Sequence, residues 1–209
     1  LSFSEYMEAF DGDQYEGYEQ YSIYGGLPYT LSFDNDNDRS KYLKNLFEET
    51  YLRDIIERNN VSNVEGLNEL LNVISSQIGS LTNPRNLQNT FKSEKNITLS
   101  DKTISNYLDF FMDAFLITKA LRYDVKGKKY INSPYKYYFE DIGLRNARLN
   151  FRQIDKGHIM ENIIYNELLR RGYNVDVGVV EVNETSESGT RSKPKYEVDF
   201  VCNQGNKSI

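Results

Sequence analysis

Glu197 and Asp199 stand two apart in the apolar run Tyr196-Glu197-Val198-Asp199-Phe200-Val201. Side chains two apart in a strand point the same way, so both carboxylates share one face and Val198 and Phe200 pack on the other. Two acids on one side of a buried strand call for a metal ion, a cationic partner or an exposed edge. Upstream, Glu161 and Glu167 lie in one helical segment. Six residues are about 240° of helix, so these two cannot share a face. His158 is the only histidine and Cys202 the only cysteine. One of each cannot build a zinc site of the usual kind, and no internal disulfide can form. Any Ser-His-Asp or Cys-His unit would have to run through His158, which reads as a capping or surface residue at a helix start. A separate group, Lys126-Gly127-Lys128-Lys129, has the charge to meet a polyanion.

The elements that must position these groups are legible from periodicity. Residues 3–24 read as helix, loop, helix, with Tyr15, Tyr18, Tyr21 and Tyr24 more suited to packing than to stacking on bases. Gly25-Gly26-Leu27-Pro28 is a turn. Asp34 to Asp38 alternates Asp and Asn like the start of an EF-hand loop. The Gly and Glu that such a loop needs fall on Arg39 and Asn45, so a helix-capping loop is expected instead. A long helix is expected over 40–58, its apolar face carrying Tyr42, Leu43, Leu46, Phe47, Thr50, Tyr51 and Ile55. Arg53 and Asp54 on it read as a surface pair or as part of an interface. A helix over 65–79 ends at Gly79, and Asn83-Pro84 caps a short one carrying Leu87 and Phe91. A third, over 101–115, carries Ile104, Tyr107, Leu108, Phe111, Met112 and Phe115. The pattern then changes to period two over 118–139, a hairpin with the Lys126–Lys129 tip. After a connector over 140–153, a helix over 155–171 turns Ile159, Ile163, Ile164, Leu168 and Leu169 inward. Strands follow at 173–182 and 195–202, with a polar loop from Asn183 to Pro194 between them.

Three helices and then a hairpin is the order of a winged helix-turn-helix. The third helix would then be the recognition helix and 118–139 the wing, with Lys102, Thr103, Ser105 and Asn106 exposed toward phosphates or bases. Asp101, Asp109 and Asp113 on the same helix repel phosphate, so a protein-interaction role stands beside the DNA reading.

Composition bounds both. The chain has 209 residues, 39% hydrophobic and 27% charged, with 17 Tyr, 11 Phe and no Trp, enough to fill the core of one or two domains. No apolar run reaches the length of a membrane span. The net charge of −6 hides a split. Residues 1–38 hold nine acids and no Lys or Arg, while residues 118–172 hold 12 basic and 6 acidic residues. The acidic leader thus precedes a basic body that favours polyanions. The chain starts at Leu1, with no basic-then-apolar signal, so it reads as a piece of a longer cytoplasmic protein.

An ordered set of segments carries a resemblance. It runs Tyr24-Gly25-Gly26-Leu27-Pro28, Tyr51-Leu52-Arg53-Asp54-Ile55, Ser105-Asn106-Tyr107-Leu108 and Lys136-Tyr137-Tyr138-Phe139-Glu140-Asp141-Ile142-Gly143-Leu144-Arg145-Asn146-Ala147. It continues with Gly157-His158-Ile159-Met160-Glu161-Asn162, Asn166-Glu167-Leu168, Arg170-Arg171-Gly172-Tyr173 and Glu197-Val198-Asp199-Phe200-Val201. Over nearly its whole length the chain resembles the uncharacterised C-terminal domain that follows an AAA-type ATP-binding module in predicted prokaryotic ATPases. The resemblance implies an α+β fold, with a helical and winged-helix part over 1–150 and a truncated restriction-endonuclease-like, PD-(D/E)XK part over 151–209. It places the ATPase half before Leu1, as a partner, and no phosphate-binding Gly-x-x-x-x-Gly-Lys-Ser/Thr loop occurs here, so ATP is expected only in that half. It implies Glu161 and Asp199 as catalytic acids, Asp199 as a ligand of Mg2+ or Mn2+, and a Glu-x-Lys strand after Ile209, a place often held by Gln in this family. Candidate nucleic-acid contacts are Lys102, Asn106, Lys126, Lys128 and Lys129. DNA and a second copy of the chain are the further expected partners, with no membrane. The competing expectation for Glu161 is a structural acid paired with Arg170 and Arg171 or a backbone amide, and for Asp199 a structural hydrogen-bonding acid.

Overall fold

Side-chain oxygens start the helices. In the computed structural model, which describes residues 1–95, 98–152, 154–185, 191–205 and 207–208, Ser2 opens α1 (Phe3–Ala9) through a capping box with Glu5, and Asp13 opens α2 (Gln14–Tyr24). A 3-10 turn (Pro28–Ser32) leads to α3 (Asp36–Leu46), capped by Asn35, so the Asp/Asn run is a helix start. The helix expected over 40–58 has three parts. α3 passes into a π-helical turn (Phe47–Leu52) and continues as α4 (Arg53–Arg58). Burial explains the wide turn. Leu43, Phe47, Leu52 and Ile55 are all buried, and the step of five from Phe47 to Leu52 needs more than 3.6 residues per turn to stay on one face. Thr50, expected on the apolar face, is exposed for the same reason.

Then come α5 (Val64–Ser76), α6 (Pro84–Thr90), which runs into a second π-helical turn (Phe91–Lys95), and α7 (Asp101–Asp113). They precede the hairpin of β1 (Ile117–Asp124) and β2 (Lys129–Phe139). α7 stops at Asp113. Phe115, expected inside, has left-handed backbone (φ 53) and is 77% exposed. The remaining elements are α8 (Ile142–Arg148), α9 (Lys156–Arg170), β3 (Asn174–Glu181), β4 (Glu184–Thr185), β5 (Arg191–Ser192), β6 (Lys195–Gln204) and β7 (Lys207–Ser208). Of the polar loop expected between Asn183 and Pro194, residues 186–190 lie outside the described residues. The fold class is α+β.

The sheet order is β2-β1-β3-β6-β7, with β1 and β3 parallel and the other neighbours antiparallel. The hairpin is therefore not a free-standing wing, since Arg122, Tyr123 and Asp124 of β1 pair with Val177, Gly178 and Val179 of β3. Its own ladder breaks between Ala120 and Arg122, where β2 carries extra residues. One of them, Tyr135, pairs instead with Thr82 in the α5–α6 connection, through two backbone hydrogen bonds of 2.8 Å. A second irregularity lies opposite Val177. Asp176 pairs with Val201 and Gly178 with Val198, so β6 carries one extra residue at Asp199–Phe200.

β2 separates two cores by its alternation. Tyr137 and Phe139 enter the larger one with α5, α7 and α8, and Tyr138 enters a smaller one with Ala120, Tyr165, Val175, Val177 and Cys202. α9 serves both. Ile159 and Ile163 reach the larger core and Tyr165 the smaller, while Ile164, expected inside, is exposed.

Candidate functional site: a lysine-bridged carboxylate pair and a basic hairpin face

The sharpest polar constellation lies between β2, α9 and β6. Lys136 is 3% exposed, the only lysine among the buried residues described. The strand alternation that sends Tyr137 and Phe139 to one core sends Lys136 and Tyr138 to the opposite face, toward α9. There the Lys136 ammonium lies 2.8 Å from Glu161 Oε1 and 2.7 Å from Glu197 Oε1. The Tyr138 hydroxyl donates to the same Glu161 oxygen at 2.5 Å. Burial by itself works against the Lys136 charge, but hydrogen bonds and charges from Glu161 and Glu197 outweigh it and hold its pKa above the ordinary lysine value. Burial, then the Glu161 hydrogen bond, pushes the Tyr138 phenol well above the usual tyrosine range. Both groups keep their protons at neutral pH, so neither offers a base or a nucleophile.

Asp199 belongs to the hollow beside this bridge, of about 310 Å3, lined by Asp155, His158, Met160, Glu161, Asp199 and Phe200 among others. Glu161 and Asp199, far apart in sequence, thus line one hollow. The extra residue in β6 changes one expectation. Phe200 was to lie on the face opposite Asp199, yet it lines the same hollow and its ring packs 6.3 Å from Tyr138 and 6.2 Å from Tyr165. A bulge sets two successive residues against one partner and re-aims the side chains. Val198 does face away, 43% exposed. Glu161 pairs with Lys136, whereas Arg170 and Arg171 pair with Glu167 on another side of α9. His158 is a partly exposed first-turn residue whose backbone N–H donates to the cap Asp155, and its Nδ1 lies 4.0 Å from Glu161 Oε2.

The divalent ion implied by the resemblance does not fit these residues as arranged. Among the described residues no three His, Cys, Asp or Glu side chains come together to hold a metal. The point where carboxylates of α9 and β6 converge is already held by an ammonium. A divalent ion could take that point only by displacing the ammonium, which already satisfies both carboxylates. Lys136 and Tyr138 were not singled out in the sequence. The signal that could have found them is a lysine at the buried parity of an otherwise aromatic strand.

The second surface is basic. Lys102 and Asn106 are exposed on α7. Lys102 lines a hollow of about 390 Å3 with Asn83, Arg85, Asp101, Ser105 and Ser133, so α6, α7 and β2 all border it. Lys126, Lys128 and Lys129 are exposed at the hairpin tip. The tip is fixed by the Gly127 N–H donating to Asp124 Oδ1 and by Lys126 Nζ donating to the Glu181 carbonyl, at 2.9 and 2.8 Å. Arg53 and Asp54 are exposed and form i,i+4 pairs with Glu49, Glu57 and Arg58.

A family model described as a domain of unknown function (DUF8612) matches residues 15–155. An uncharacterized protein of Haemophilus influenzae is 35% identical over 189 residues, covering 88% of this chain and 47% of that protein. Uncharacterized protein MJ1544 of Methanocaldococcus jannaschii is 30% identical over 186 residues, covering 89% of this chain and 39% of that protein. The chain therefore spans about half or less of the length of these relatives. No solved structure matches.

Proposed function

The chain belongs to the family described as a domain of unknown function (DUF8612), and on that premise we propose that it is the nucleic-acid-associated, non-ATPase module of a longer prokaryotic AAA-type ATP-binding protein, docking duplex DNA with α7 and the β1–β2 hairpin. The observation that carries this reading is the succession of α5, α6, α7 and hairpin with Lys102 and Asn106 exposed on the third helix and three lysines exposed at the tip. Arg85 beside Lys102, across a hollow bordered by the hairpin, adds a second cation on the same side of the helical unit. Phosphate contacts from such groups position a duplex, and Asn106 supplies a side chain able to read a base edge. Asp101, Asp109 and Asp113 on α7 keep the expected affinity modest. The partner ATPase agrees with the greater length of both relatives. Among the described residues no helix is long and apolar enough to cross a membrane.

Fluorescence anisotropy of a labelled duplex of about 30 base pairs tests the reading. Each phosphate neutralised contributes a slope of about −0.9 to log K against log salt. The expected slope for five contacts is about −4 to −5, reduced by about 2 to 3 in Lys126→Ala/Lys128→Ala/Lys129→Ala. An absence of binding at low salt, or binding indifferent to the tip lysines, sinks the DNA reading and leaves a protein partner as the ligand of this face.

A further inference from the structure

We propose that Lys136 is a built-in substitute for a divalent cation, so that the carboxylates of α9 and β6 are joined by the chain's own ammonium and take up no Mg2+ or Mn2+. The inference stands apart from DNA docking, because it concerns another face of the molecule and another chemistry. Three facts carry it. Oxygens from two distant elements, Glu161 Oε1 and Glu197 Oε1, converge on one point at 2.8 and 2.7 Å, as the ligands of a cation would. That point is held by a covalently tethered charge, buried at 4% side-chain exposure and delivered by the parity of β2. The Tyr138 hydroxyl occupies Glu161 Oε1 from a further direction, so the oxygen that would have to reach a metal already accepts two charge-assisted hydrogen bonds.

A tethered ammonium differs from a bound ion in one measurable way: it cannot be removed by chelation or restored by titration. It gives the three elements a fixed link at any metal concentration and leaves no open coordination position for an activated water. Removing it should uncover what it replaces. Lys136→Met keeps the apolar stem and leaves two carboxylates facing each other without a counter-charge, the condition in which an added cation binds.

The test uses MnCl2 as the probe, with free Mn2+ read by its electron paramagnetic resonance signal and folding read by thermal melting. The wild-type chain should leave Mn2+ free and melt at the same temperature with and without it. Lys136→Met should take up about one Mn2+ and melt about 3–6 °C higher at ten times the dissociation constant, a gain lost when Glu197→Gln is added. Lys136→Arg keeps a cation at the bridge and should ignore Mn2+ like the wild type. If Lys136→Met does not fold, the wild-type and Lys136→Arg arms still decide the matter. Mn2+ uptake by either of them that disappears in Asp199→Asn or Glu161→Gln overturns the proposal. So does a cooperatively melting Lys136→Met that leaves all Mn2+ free.

Discussion

Asn162 shows what a single buried amide does here. Its Oδ1 accepts from the Phe139 N–H and its Nδ2 donates to the Phe139 carbonyl, both at 2.8 Å, with the side chain fully buried. Two backbone groups at the end of β2 are thereby satisfied by one residue of α9, at the point where the sheet meets the helices. The Phe139 carbonyl also accepts from Asn166 Nδ2 at 2.9 Å, so truncation of Asn162 would leave the Phe139 N–H unpaired in the interior, which costs about 1–3 kcal/mol. Asn162→Ala should therefore cost about 1–3 kcal/mol and lower the melting temperature by about 2–12 °C, measured by calorimetry against the wild type. Lys136 makes a second prediction at this scale. Its folded pKa is raised above the ordinary lysine value, so its contribution is complete below the unfolded pKa and is lost as pH rises through the folded one. The melting temperature of wild type relative to Lys136→Met should thus hold level to about pH 10 and then fall. A difference that grows with alkalinity would contradict the bridge. Neither role was legible from spacing. Glu161 and Asp199 stood out as acids in a helix and a strand, but the partners Lys136 and Tyr138 that hold Glu161 lie 25 and 23 positions away, and sequence periodicity reports only which face a residue joins, not what waits there.

At the scale of elements, the two glycine segments that carried the resemblance turn out to meet. Gly25 has φ 73, a conformation that favours glycine, and a Cβ there would fall 2.2 Å from Asp141 Oδ1. A Cβ on Gly143 would fall 2.1 Å from the Tyr24 carbonyl oxygen. The end of α2 and the start of α8 thus touch backbone to backbone. Asp141 closes the joint, accepting from the Gly26 N–H with one oxygen and from the Leu144 N–H with the other. Gly143→Ala discriminates this account from ordinary helix behaviour. Alanine in a helix gains about 1 kcal/mol over glycine. Here the overlap with rigid backbone reverses the sign, and a net loss of about 1–3 kcal/mol by denaturant titration is expected, with stabilisation as the refuting result. The caps of the Asp34–Asp38 loop and of Asn83 were readable because such side chains act within a few residues of themselves. The π-helical turn at Phe47–Leu52 and the bulge at Asp199–Phe200 were not, since each is a response to a surface that another part of the chain provides.

The whole molecule is held across its length by links that cross residue 150. β1 pairs in parallel with β3, Ser4 donates to Glu167 at 3.0 Å, and Ile159 and Ile163 of α9 fill the core built by α5, α7 and α8. A strand removed from such a sheet leaves unpaired donors and acceptors along its neighbour, and a helix removed from such a core leaves apolar surface in water at about 25 cal/mol per Å2. The helical region therefore has no complete core without α9, and the hairpin has no complete ladder without β3. From this we expect one unfolding transition in place of two. Far-ultraviolet circular dichroism, which follows the helices, and tyrosine absorbance, which follows the buried rings of both cores with Tyr138 and Tyr165 stacked at 4.2 Å among them, should report the same midpoint, and the calorimetric enthalpy should equal the van't Hoff value. Asn162→Ala should move both probes together, because its amide lies at the junction that both sides share. Separate midpoints, or a variant that shifts the tyrosine signal while the helical signal stays in place, would mean that the sheet and the helices fold as independent units despite the strand pairing between them.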